Sequence, residues 1–166
     1  MSSSIELRLE SKLRVVETFD TYASPLDATA TFDQLSETEN LDSGTSVPVT
    51  KHAEFEQALS SGTATIDLTA LPGKTVDETV DGTGLKVQAI KFRNKNTNAN
   101  KITISKGASN GYCLDANSTT WSVVLSPGQS VLFKLEDLAP DIAGGAKTID
   151  LAGTLSQVLE VMVVMG

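Results

Sequence analysis

Side chains that usually carry chemistry are scarce in this sequence of 166 residues, which has one histidine, one cysteine, one tryptophan and 5% aromatics. Cys113 has no second cysteine to pair with, which excludes an internal disulfide framework and any CxxC redox or zinc motif; the thiol is expected to be a small buried hydrophobe. Any histidine-based triad has to use His52, and no Gly-x-Ser-x-Gly elbow lies beside it, so a surface strand or turn is the expected setting. Metal sites made of several His or Cys are excluded. Long apolar runs are missing too: residues 161–165 fall far short of the ~20 that a membrane helix needs. Residues 1–4 lead directly into charged, alternating sequence without the apolar segment of a secretory signal. The expectation is a soluble chain made in the cytoplasm, with no membrane partner.

Basic residues number 13 against 21 acidic ones, a formal net charge of −8. Such a surface repels the phosphate backbone that drives most nucleic-acid affinity, so nucleic acid is not an expected partner. The charge itself favours solubility. Hydrophobic residues at 40% and charged residues at 20% are ordinary globular composition. The length suits one domain, which at this size buries roughly 70% of its unfolded surface.

Strand signals dominate. Ile5, Leu7 and Leu9 alternate with Glu6, Arg8 and Glu10, the period of two of a strand with one wet face. A polar connection follows over residues 18–48, too long for a structureless loop inside a compact domain; either a short strand over 28–35 or an arm that orders against a partner is expected there. Between Val47 and Leu59 a helical and a strand period compete, and the turn formers Ser60, Ser61 and Gly62 before Thr65-Ile66-Asp67-Leu68 favour a hairpin. Leu85, Val87 and Ala89 alternate before the apolar phase slips to Ile90 and Phe92, which predicts a β-bulge. The asparagine-rich segment 94–100 then predicts a hairpin loop leading to Ile102 and Ile104, on the ground that Asn tolerates left-handed backbone. Ser126-Pro127-Gly128 fits a type II turn between strands at 121–125 and 131–135. The tetrapeptide Thr65-Ile66-Asp67-Leu68 recurs as Thr148-Ile149-Asp150-Leu151, which suggests equivalent positions in opposed sheets or coincidence. The predicted class is all-β: a single β-sandwich or jelly roll with an extended N-terminal region, divided into residues 1–48 (N-terminal strand and polar arm, part of the same domain) and 49–166 (sandwich core).

No constellation announces catalysis, and no cofactor is implied. Asp33, Glu37, Glu39 and Asp42 cluster, but not with the spacing of an EF-hand loop, and read as a solvated acidic loop. Asp81-Gly82-Thr83-Gly84 lacks the lysine of a phosphate loop and reads as a turn. Tyr112 and Trp121 suit either a core or a sugar-stacking platform. The sequon Asn117-Ser118-Thr119 has meaning only on a secretory route.

The segment 59–68 with Leu59, Gly62, Ile66 and Leu68, the strand 85–90, the loop 96–100 before Ile102-Thr103-Ile104, the turn 125–129 and the chain end 159–166 resemble small β-sandwich structural proteins of tailed bacteriophages. The likeness covers residues 59–166 and is one of pattern. It implies a virion component without enzymatic activity, most simply a capsid decoration or cement protein bridging capsid subunits. The implied partners are the major capsid protein and further copies of this chain, as a homo-oligomer, a trimer above all. Contact candidates are Ile5, Leu7 and Leu9 on the first strand, with the strand adding to a neighbour's sheet, and Phe19, Tyr22 and Phe32 in the arm. A tail or baseplate protein shares this layout, and a carbohydrate-binding sandwich using Trp121 or Tyr112 is the alternative from another class.

Overall fold

A computed structural model describes residues 5–11, 15–19, 28–32, 37–75, 77–114, 119–135 and 138–166. Among the described residues the named elements are all strands. The N-terminal part holds β1 (Glu6–Ser11), β2 (Val15–Phe19), β3 (Ala28–Phe32) and β4 (Glu37–Asp42). Then follow β5 (Lys51–Ala58), β6 (Thr63–Asp67), the two-residue strands β7 (Leu71–Pro72) and β8 (Thr79–Val80), and β9 (Val87–Asn94). The chain ends with β10 (Ile102–Lys106), β11 (Ser122–Leu125), β12 (Ser130–Lys134), β13 (Thr148–Ala152) and β14 (Val158–Met165).

Two four-stranded antiparallel sheets form the body, one in the order β12-β9-β14-β5 (the front sheet) and one in the order β11-β10-β13-β6 (the back sheet). Alternation explains why they pack. Leu159, Val161, Val163 and Met165 of β14, with Ile90 and Phe92 of β9, meet Ile66, Ile102, Ile104, Ile149 and Leu151 of the back sheet in one buried core. The all-β sandwich expected from the sequence is what forms, and the strand reading of residues 51–58 prevails over the helical one.

The expected hairpins are corrected. β5 and β6, β9 and β10, and β11 and β12 each lie in different sheets, so every one of these connections arches over the core. Period-two alternation marks the face that looks inward, and an inward face is identical whether the next strand lies beside it or across from it. The turn chemistry itself is as predicted at two of the arches. Ser61 (φ 52°) and Gly62 (φ 87°) both take left-handed backbone between the mutual Ser60–Thr63 bonds, the geometry of a type I′ turn. Gly128 has φ 80° at the third position of the Ser126–Gln129 turn. The asparagines of residues 94–100 are a different matter, since among the described residues the non-glycine positions of positive φ are Ser61, Asn110 and Leu155. Those asparagines bond rather than bend: Asn94 Nδ2 donates to Asn100 O (3.1 Å) and Leu125 O (2.8 Å), and Asn98 Nδ2 donates to Asn94 Oδ1 and Val158 O (2.6 Å each).

The predicted bulge is present. Val164 faces Ala89 and Met165 faces Val87, leaving Gln88 as the extra residue, buried, with its Nε2 donating to Gly166 O at 3.0 Å. The repeated tetrapeptides are not in opposed sheets; β6 and β13 are antiparallel neighbours, with Thr65 opposite Asp150 and Asp67 opposite Thr148. Antiparallel pairing of two copies of Thr-x-Asp sets the hydroxyl of one against the carboxylate of the other. Thr65 Oγ1 donates to Asp150 Oδ1 at 2.8 Å, and Asp67 takes Lys147 Nζ (2.6 Å) and the Thr69 hydroxyl (2.6 Å). Burial alone raises the Asp67 pKa, but the bonds from Lys147 and Thr69 outweigh it and leave the carboxyl below its ordinary value.

Of the two expectations for residues 18–48, the short strand over 28–35 is met by β3 and the unpaired arm is not. β2 bonds β3 and β1 bonds β4, with Val15 opposite Phe32 and Glu6 opposite Asp42, so the described N-terminal strands form two antiparallel pairs, nested in sequence and together called the ribbon below.

Candidate assembly surface

The ribbon meets the body on the outward face of the front sheet. Leu7 and Leu9 of β1, with Ile5 just before it, are half-buried against Leu41, Val47, Val49 and Val164, a small apolar cluster separate from the main core. Glu6, Arg8 and Glu10 alternate with them and are exposed. Glu37 and Glu39 of β4 reach the ammonium of Lys134 on β12, Glu37 at 3.8 Å and Glu39 closer, and tie the ribbon to the sheet edge. Asp42 closes the ribbon's exit, its Oδ1 accepting from Gly44 N at 2.7 Å. Three of the four acidic residues considered for calcium are thus occupied by a lysine or a turn, and Asp33 lies outside the described residues. Among the described residues no group of three or more His, Cys, Asp and Glu is placed to hold a metal ion.

Cover is incomplete. A groove of about 370 Å³ runs between β1 and the sheet, lined by Leu7, Leu9, Leu132, Met162 and Val164 with Lys91 at its side. Leu132 and Met162 remain 44% and 39% exposed. A wider cleft of about 790 Å³ separates β1 from β5 and the β7–β8 pair. His52 lines it, half-buried on β5 opposite Val164, as does Lys51, whose ammonium donates to Asp81 O at 2.6 Å. Asp81-Gly82-Thr83-Gly84 is the predicted turn. Asp81 Oδ1 accepts from Thr83 N (2.8 Å) and the Thr83 hydroxyl (2.6 Å), and these bonds lower its pKa. Gly82 is needed there because a Cβ would meet Leu68 O at 2.7 Å.

The predicted contact residues divide. Ile5, Leu7 and Leu9 come together on the ribbon's inner face, against the chain's own body. Phe19 and Phe32 stand in β2 and β3, opposite Ala28 and Val15 in register; Tyr22 lies outside the described residues. The two aromatics offered for sugar stacking are structural. Tyr112 is fully buried, its hydroxyl donating to Pro140 O (2.7 Å) and accepting from Val87 N (3.1 Å). Burial pushes its pKa up to about 12 although the Val87 bond acts the other way. Trp121 is half-buried against Phe133, ring centroids 6.2 Å apart, with its Nε1 donating to Tyr112 O at 2.9 Å. Cys113, expected to be buried, is half-buried, because the alternation that buries Tyr112 and Leu114 turns the residue between them outward. The sequon asparagine, Asn117, is outside the described residues.

What the sequence did not show is the groove and the ribbon's pairing partner, both made by residues distant in the chain. The one available signal was the alternation of residues 37–42, weak because Leu41 is its only apolar side chain. No protein-family model matches the chain, and neither does any characterised protein.

Proposed function

We propose that this protein is a non-enzymatic structural component of a tailed-phage virion, a capsid decoration or cement protein present in many copies and clamped to neighbouring capsid subunits. The ribbon supports this most directly: a paired, extended element lies over a rigid sandwich, and its β2–β3 part bonds to no other strand among the described residues. Open ribbon edges present unpaired backbone groups, and strand addition there is a ready way to grip a neighbouring protein. Side chains that could have served chemistry have structural posts, as with Tyr112, Trp121, Asp67 and Asp81. An acidic exterior, net charge −8, suits dense display without non-specific sticking. Many weak contacts on one particle act as effectively intramolecular ones, so no single contact needs high affinity.

The test is co-sedimentation of the purified protein with empty shells of the major capsid protein from the same genome. Saturable pelleting that is lost on deleting residues 1–42 supports the clamp. Pelleting with tails but not with shells moves the protein to a tail or baseplate role; pelleting with neither overturns the reading.

A further inference from the structure

We infer that the open edge of β1 is a docking site for an extended segment of a partner protein, which adds as a strand beside β1 and carries two apolar residues at alternate positions followed by a basic one. The inference rests on the reading of the protein as a clamp and names the chemistry that the clamp grips.

Strand register divides the outward face of the front sheet into rows. Lys134, Ala89, Val164 and His52 stand opposite one another on β12, β9, β14 and β5. Ala89 and Val164 are buried although they point away from the main core, because β1 crosses above this row. It runs from the β5 side, where Ile5 lines the wide cleft, to the β12 side, where Leu9 and Glu10 flank Leu132. The next row, two residues along each strand, is Leu132, Lys91, Met162 and Glu54, and all four are exposed. The groove of about 370 Å³ lies between that row and β1. β4 bonds the far edge of β1, where Leu41 meets Val47 and Val49, and no β4 residue lines the groove. Among the described residues no strand bonds the near edge. It therefore presents unpaired backbone N–H and C=O groups above a partly apolar floor, the arrangement that accepts an added strand.

Spacing and charge specify the occupant. A strand about 4.8 Å beyond β1 lies above the row from Leu132 to Glu54, which is about 14 Å long at three strand spacings. At ~3.4 Å per residue about five residues span it, and alternate ones, about three in all, face the floor. Leu132 and Met162, the two large apolar side chains left exposed on this sheet face, take two apolar residues. The β5 end of the row asks for something else. There Glu6, Glu54, Glu78 and Asp81 line the adjoining cleft against two lysines, Lys51 and Lys74, and Arg8 further along β1 is already paired with Glu10 at 2.5 Å. A basic third residue meets this excess of carboxylates. The molecule as a whole, at −8, also draws a basic segment in and holds an acidic one off. A second copy of this chain carries the same −8 and is the poorer occupant for that reason.

The probe is the end-blocked peptide Lys-Thr-Val-Thr-Val-Thr-Lys, which reads alike in both directions, titrated by fluorescence anisotropy with the full chain. Saturable binding is expected below about 1 mM. It is expected to weaken at least about tenfold when glutamate replaces both lysines of the peptide, and likewise with Met162→Lys in the floor of the groove. Val124→Lys, on the back sheet, is expected to leave it unchanged. No saturable binding, or equal binding of the lysine and glutamate peptides, overturns the inference. So does a wild type that self-associates without peptide and is returned to monomer by it, since the groove then belongs to a second copy. Should Met162→Lys not fold, two peptides N-methylated on alternate residues take its place. Loss of binding with either supports strand addition, and undiminished binding by both overturns it. The same protein is sedimented with capsid shells to separate the two readings. Peptide binding without pelleting supports the groove and overturns the virion role; pelleting without peptide binding overturns the groove and leaves the virion role standing.

Discussion

The hydroxyl of Tyr112 sits between a buried N–H and a carbonyl, from Val87 and Pro140, and thereby joins the start of β9 to the loop before β13. Tyr112→Phe leaves both groups without that partner, at a cost of roughly 1–3 kcal/mol, seen as a melting temperature lower by about 2–10 °C. The same phenol gives an alkaline signature. Its folded pKa is about 12, so between its ordinary value of 10.0 and 12 the unfolded state has released the proton while the folded state retains it. Stability is then fully present below pH 10 and falls as pH rises towards 12, by an amount on the order of 3 kcal/mol. Urea titrations from pH 9 to 12 are expected to show that slope in the wild type and a smaller one in Tyr112→Phe. Asn94 serves a similar post at the other end, fully buried, its amide nitrogen donating to Asn100 O and Leu125 O. Asn94→Ala leaves the buried Leu125 carbonyl without this donor, while Asn100 O keeps Gln157 Nε2, and it opens space in the interior, an expected loss of about 2–4 kcal/mol readable by chemical denaturation. That Tyr112 belongs inside was legible from its alternation with Leu114. What its oxygen touches was not, because Val87 and Pro140 lie some twenty-five residues away on either side.

Among the strands, the sequence was read well along the chain and poorly across it. Alternation located β1, β5, β9, β10 and β12, and the slip from Ala89 to Ile90 announced the bulge that the structure places at Gln88. Sheet membership was lost because a two-residue turn such as Ser61-Gly62 serves a hairpin and an arch equally; only the partners, β14 for β5 and β13 for β6, tell them apart. For the ribbon, residues 37–42 offer Leu41 as their one strongly apolar side chain, so its strand was hidden within a polar connection. β1 packs on Val47, Val49 and Val164, whereas among the residues whose side chains are described the main core contains none from the ribbon. Deleting residues 1–42 is therefore expected to leave a cooperatively folding sandwich with newly exposed apolar surface. Thermal unfolding monitored by circular dichroism checks the first point and a rise in dye binding to apolar surface the second. Loss of the cooperative transition would show instead that ribbon and sandwich fold as one unit.

The distribution of charge over the molecule divides it into unlike sides. On the front sheet Arg93 pairs with Glu160 at 3.4 Å and Lys95 with Glu56 at 2.5 Å, both at partly exposed positions where an ion pair adds little stability. Glu160→Gln is therefore expected to lower the unfolding free energy by no more than about 1 kcal/mol, and by less as salt shortens the screening length; a loss of several kcal/mol in chemical denaturation would show instead that the Arg93–Glu160 pair holds β9 to β14.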